Sequence, residues 1–105
     1  MNSSNRVFQA LADETRREIL RLLRQGPRTS GDIASAFQSS WPTISRHLAV
    51  LRDAGLVTPT RHGQEIRYEL NTSIFEDLIQ HLMTWTRPTR SSRPARLRRS
   101  RESEV

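Results

Sequence analysis

Apolar residues fall at helical spacing over the first half of the chain, then at alternate positions, then at helical spacing again. Val7, Phe8 and Leu11 mark a short first helix whose narrow apolar side needs another element to pack on. Asp13 restarts the chain as a good N-cap, and Glu14 places negative charge in the first turn. Ile19, Leu20 and Leu23 then carry a buried stripe until Gly26-Pro27 stops the second helix. Thr29 with Asp32 three residues on has the spacing of a capping box and predicts a short third helix bearing Ile33, Ala34 and Phe37. After the polar turn Gln38-Ser39-Ser40 a fourth helix is expected over residues 41–54. Ser39 or Ser40 can cap it, Pro42 sits where a missing backbone donor costs little, and Gly55 marks its exit. Ile44, Leu48 and Leu51 form its buried stripe.

Beyond Gly55 the period changes to two. Val57 and Thr58 to Arg61, the polar tip His62-Gly63-Gln64, and then Ile66, Tyr68 and Leu70 alternating with Glu65, Arg67 and Glu69 predict a β-hairpin. Pro59 cannot donate to a ladder, which places its strand at the edge of a two- or three-stranded sheet. Ser73 with Glu76 has capping-box spacing again and opens a last helix with Ile74, Phe75, Leu78, Ile79, Leu82, Met83 and Trp85. That stripe is too wide for one contact. Positions 75, 78, 79 and 82 are expected on the core, leaving 74, 83 and 85 for a partner subunit.

The polar face of the fourth helix changes the picture from fold to function. A solvated face is ordinarily filled with Glu, Lys or Gln, but here Trp41, Pro42, Ser45, Arg46, Ala49 and Asp53 project from it. Several of these groups can donate to base edges or phosphates. Periodicity alone would fit any short amphipathic helix with one arginine. The neighbours decide: two short helices joined by a tight polar turn, the second polar on its outer face, are the parts of a helix-turn-helix. Arg61, His62, Gln64 and Arg67 on the hairpin are placed to lie along a phosphate backbone or in a minor groove.

Charge adds less than its total suggests. The chain of 105 residues has a formal net charge of +6, all seventeen basic residues being arginine. Residues 87–105 hold seven arginines against two glutamates, a net +5, and residues 1–86 hold ten arginines against nine acids, a net +1. This divides the chain into a nearly balanced domain over 1–86 and an arginine-rich, proline-interrupted tail over 87–105, expected to be disordered. One core of this size is marginal alone, so dimerisation would help it. There is no cysteine, which excludes disulfides, a thiolate nucleophile and thiolate metal sites. No leader or bilayer-spanning apolar run is visible, and a cytoplasmic location with no membrane partner is expected.

Three stretches carry a family resemblance. Phe-Gln-Ala-Leu-Ala-Asp-Glu-Thr-Arg-Arg-Glu-Ile-Leu-Arg-Leu-Leu at 8–23, Thr-Ile-Ser-Arg-His-Leu-Ala-Val-Leu-Arg-Asp-Ala-Gly-Leu-Val at 43–57, and the hairpin residues 63–70 resemble the ArsR family of winged-helix regulators. Glu14 stands where the family usually has proline. The resemblance implies a mainly α fold with a small β-hairpin (α+β), a dimeric winged helix-turn-helix, and double-stranded DNA as partner. It places Trp41, Pro42, Ser45 and Arg46 in the major groove, with Thr43, Arg61, His62, Gln64 and Arg67 nearer the DNA backbone; Ser40 is also expected among the DNA-binding residues. Trp41 departs from the small polar residue usual there; it either meets a thymine methyl or folds back onto the domain. The surplus apolar face leads us to expect a homodimer interface on the first and last helices: Val7, Phe8, Leu11, Ile74, Leu78, Leu82, Met83 and Trp85.

The family's metal sensors use paired cysteines on the third helix or aspartate and histidine ligands along the last. Here the third helix reads Ser-Gly-Asp-Ile-Ala-Ser-Ala-Phe, and His81 with Asp77 lacks a second histidine at ligand spacing. His47, His62 and His81 lie on three different elements, so no cofactor and no metal are expected. His47 falls on the buried side of its helix as a hydrogen-bonded packing residue, and His81 is expected in solvent or at the dimer interface. The chain is most similar to the metal-independent, SdpR-like branch. An enzyme is not expected: there is no phosphate-binding glycine loop, no paired carboxylates and no nucleophile with an evident base. The competing reading is a protein-interaction module in which the broad last helix docks a partner; the residues identify no effector.

Overall fold

The computed structural model describes residues 3–88; the tail expected to be disordered lies outside them from residue 89 on. In chain order the elements are α1 (Ser3–Leu11), α2 (Glu14–Leu23), β1 (Arg28–Thr29), α3 (Ser30–Phe37), α4 (Trp41–Asp53), β2 (Val57–His62), β3 (Glu65–Leu70) and α5 (Thr72–Met83). Caps set the boundaries. The Asp13 carboxylate accepts from the Arg16 backbone N–H at 3.1 Å. Thr29 and Asp32 cap reciprocally, the Thr29 hydroxyl accepting from Asp32 N–H at 3.0 Å and the Asp32 carboxylate from Thr29 N–H at 3.3 Å. Of the two serines before α4, Ser40 is the cap: its Oγ accepts from Thr43 N–H and its hydroxyl donates to Thr43 Oγ1 at 2.9 Å.

Two left-handed residues close the helix-turn-helix. Gln38 at φ 51° ends α3 and lets the chain turn within three residues, a conformation that costs a non-glycine residue about 1 kcal/mol. Gly55 at φ 81° ends α4, and Leu56 N–H returns to the Leu51 carbonyl at 2.9 Å. Ile19, Ile33, Ile44, Leu48, Leu51 and Leu56 fill the centre, drawn from α2, α3, α4 and the start of the hairpin. Each such side chain stabilises the fold by roughly 1.5–3 kcal/mol through burial. The core therefore lies directly beneath α4, holding it on three consecutive turns.

The sheet is antiparallel in the order β1-β3-β2, so Pro59 sits on an edge strand as its missing donor requires. Its third strand is the pair Arg28–Thr29, opposite Tyr68 and Arg67. Burial along the hairpin does not alternate: Val57 is buried and Tyr68 and Leu70 half-buried, but Ile66 is 44% exposed. The hairpin reaches past the domain body, and only its base has anything to pack on.

Two expectations for the last helix fail. Asn71, not Ser73, stands at the N-cap, and it makes no side-chain cap bond. Its amide instead donates to the Gly55 carbonyl at 2.9 Å, tying the start of α5 to the end of α4, so the Ser73–Glu76 spacing has no helix terminus to serve. The apolar partition is also rotated. Ile74, Phe75 and Leu78 pack on the core, whereas Ile79 and Leu82 are exposed together with Met83 and Trp85. Ile74 lies close to Gly55, where an added Cβ would stand 3.5 Å from its side chain.

Candidate nucleic-acid interface

Because Ile44, Leu48 and Leu51 are fully buried, the rest of α4 is oriented by geometry alone. Pro42, Ser45 and Arg46 are exposed in its N-terminal half, and Thr43 is half-buried. Arg46 makes no hydrogen bond or ion pair among the described residues, so its guanidinium fork is free for an external acceptor. Ser40, being the helix cap, already uses its hydroxyl within the chain.

Trp41 is 62% exposed but does not simply project outward. Its ring edge rests on the first turn of α3, so close that a Cβ at Gly31 would stand 3.0 Å from Cζ2 and 3.3 Å from Nε1. The same indole borders a hollow whose other wall is Gln64, Ile66 and Tyr68 on the hairpin. Trp41 thus extends from α4 between α3 and the hairpin, with much of its ring exposed. Of the two expectations for Trp41, outward projection and folding back, the side chain does part of each.

On the hairpin, Arg61, His62, Gln64 and Arg67 are all exposed near the tip. His62 Nε2 lies 3.3 Å from the Thr60 hydroxyl. Arg67 pairs with Glu65 at 3.1 Å, an exposed bridge whose contribution to stability is small. Among the wing arginines Arg61 carries no such internal neutralisation.

His47 is half-buried and faces α2, where its Nδ1 lies 3.4 Å from the Arg16 guanidinium. Arg16 is the residue sequence reasoning overlooked. Its Nε donates to the Ala10 carbonyl at 2.8 Å and its second terminal nitrogen to the Gln9 carbonyl at 3.0 Å, closing the end of α1. The signal was present in Arg16-Arg17 directly after a capping aspartate, but the reach of a guanidinium across a helix corner cannot be read from spacing. The Arg16 N–H bonded to Asp13 holds that carboxyl below its ordinary pKa, against a smaller opposing effect of burial.

Across the molecule, α1 and α5 present the proposed dimer surface. Val7 is 5% exposed and belongs to the intrachain core, so of that set it has little surface left to offer. Phe8 stacks on Trp85 with ring centroids 6.0 Å apart, and His81 meets the same indole edge-on at 5.4 Å. Leu11, Ile74 and Leu78 are half-buried, and Leu82 and Met83 are exposed beside them. Among the described residues no three acidic, histidine or cysteine side chains cluster as metal ligands, and no helix is long and apolar enough to cross a membrane.

A helix-turn-helix with an unpartnered arginine on its second helix and a hairpin beside it that exposes Arg61, His62 and Arg67 is the winged helix-turn-helix of a DNA-binding transcriptional regulator. Residues 13–58 match the model of the arsR family of bacterial regulatory proteins, and the chain belongs to that family. It is 46% identical over 81 residues to the transcriptional repressor SdpR of Bacillus subtilis, spanning 77% of this chain and 90% of that protein. An ArsR-like transcriptional regulator from Rhodococcus is similar in structure at a TM-score of 0.76 and 32% identity, over 80% of this chain and 77% of that one. The homodimeric winged helix-turn-helix DNA-binding domain of a possible ArsR-family regulator from Mycobacterium bovis gives a TM-score of 0.67 at 32% identity, over 80% and 78% of the two chains. The family is regulatory rather than enzymatic.

Proposed function

We propose that the chain is a homodimeric repressor, reading an imperfect palindrome, that acts on promoters including the one upstream of its own coding sequence. The observation that carries this reading is the N-terminal half of α4, held rigidly by the core and offering Ser45 and an unpaired Arg46. The likeness to a protein named as a repressor supports the sign of regulation, and the likeness to a homodimeric domain supports the assembly. Phe8, Leu82, Met83 and Trp85 supply an apolar surface for a second copy, which would set two reading helices in successive major grooves about 34 Å apart. Occupancy of the promoter then blocks polymerase.

Fluorescence anisotropy with the upstream DNA, at two salt concentrations and against scrambled competitor, tests the reading. Tight, competitor-resistant binding is expected; weak binding that disappears equally from both duplexes on adding salt would return the chain to an interaction module. Gel filtration with light scattering should show dimers at micromolar concentration, and monomers alone would remove the assembly. The arginines of residues 87–105 add sequence-independent affinity in this reading. Deleting that segment should weaken all duplexes alike and lower the salt slope by about 0.9 for each phosphate no longer neutralised, and an unchanged slope rejects the contribution.

A further inference from the structure

The pair Arg16 and His47 has no place in the reading surface, yet it occupies the corner where three helices meet. Arg16 leaves α2 and spends Nε and one terminal nitrogen on two carbonyls of the last turn of α1, Ala10 and Gln9. Its other terminal nitrogen points at Nδ1 of His47, one residue after Arg46 on α4. A guanidinium has no lone pair to offer, so in this contact Nδ1 is the acceptor, a role open to it only when the ring proton is on Nε2. One planar group therefore fixes the end of α1 and the middle of the reading helix at once.

We propose that Arg16 and His47 are positioning residues for sequence-specific DNA binding, a joint that sets the angle of α4 against the α1–α2 corner and that neutral His47 keeps closed. The proposal rests on α4 as the reading helix and does not require the dimer. Protonation of His47 removes the acceptor and sets an imidazolium against a guanidinium 3.4 Å away. The other charged group acting on His47 is Asp13 at the α2 cap, which is itself committed to the Arg16 backbone N–H. Among the described residues no ion pair or further hydrogen bond reaches the ring. Small rotations of α4 move Ser45 and Arg46 relative to base edges while leaving contacts to phosphates nearly intact, so the joint acts on specificity more than on general affinity.

The test uses the full chain and the duplex that the wild-type protein selects from a random-sequence pool, with a scrambled duplex beside it. Affinities are read by anisotropy from about pH 8 to about pH 5.5, the range over which histidine side chains change charge. The ratio of selected to scrambled affinity should fall about tenfold on acidification. His47→Asn retains an acceptor near the position of Nδ1 and cannot titrate; it should keep most of the ratio at pH 8 and flatten its pH profile. Arg16→Lys keeps the charge but not the fork, and should lower the ratio at pH 8 with scrambled binding unchanged. A His47→Asn profile as steep as the wild type, or equal losses on both duplexes with Arg16→Lys, would overturn the joint. Failure to select any duplex would instead count against α4 as a reading head.

Discussion

Arg46→Ala tests the proposed base contact of α4 separately from folding. Arg46 is exposed on α4 and has no partner among the described residues, so its removal breaks no intrachain contact. Alanine is an equally good helix former, and the change in folding stability should stay within about 0.5 kcal/mol. Binding behaves differently. A bidentate arginine–guanine pair is worth about 1–3 kcal/mol of discrimination. A symmetric dimer presents two such arginines about 34 Å apart, far enough for their effects to add, so the complex should lose about 2–6 kcal/mol. That corresponds to a rise in Kd of about 30-fold to about 10^4-fold on the selected duplex. On scrambled DNA only a nearby positive charge is removed, and the effect should be several-fold at most. Arg46→Lys should restore scrambled binding but not selected binding, because an ammonium cannot form the fork. Anisotropy on both duplexes, with a thermal melt to confirm unchanged stability, gives the answer directly. Equal losses on the two duplexes would make Arg46 a phosphate contact, and no loss on either would remove it from the interface.

Three further outcomes follow from the geometry. Leu51→Ala empties a fully buried position beneath α4 and should destabilise the domain by about 2–5 kcal/mol in urea unfolding; a loss under about 1 kcal/mol would mean the core is not packed as described. Asp13→Ala removes the α2 cap. Because the folded carboxyl has a lowered pKa, its stabilisation is present above the ordinary carboxylate value of about 3.9 and is lost as pH falls through the folded value, so the wild-type advantage in urea midpoint at pH 7 should shrink near pH 3. An advantage that grew in acid would contradict the cap. In Gly31→Ala the new methyl would stand 3.0 Å from the Trp41 ring, but that ring is the mobile end of a side chain 62% exposed and can yield by a few tenths of an ångström. The helix gain of about 0.5–1 kcal/mol should then hold or raise the melting temperature, while Trp41 fluorescence shifts in a Trp85→Phe background; a clear fall in melting temperature would show that the indole cannot move.

The elements and their order follow from local chemistry, and so they were legible in the chain. Asp13, the Thr29–Asp32 box, Pro42 and Gly55 act within a few residues of themselves, and the Ile44, Leu48, Leu51 stripe needs only the helical period to decide which face is buried. The exposed half of the reading helix was therefore legible too. What depended on distant neighbours was not. Two residues of Arg28–Thr29 become a strand only because β3 offers them a ladder. The rotation of α5 is set by Asn71 bonding to Gly55 sixteen residues earlier, and this overrides a correct-looking capping pattern. Ile66 alternates as a buried strand residue should, but the hairpin outruns the body that would cover it. Trp41 finds Gly31, and Arg16 finds both the end of α1 and His47, across helix corners that bring together residues distant in the chain. Periodicity and caps act along the chain and are written in it; contacts between elements depend on how the core seats one helix on another, which only the folded molecule decides.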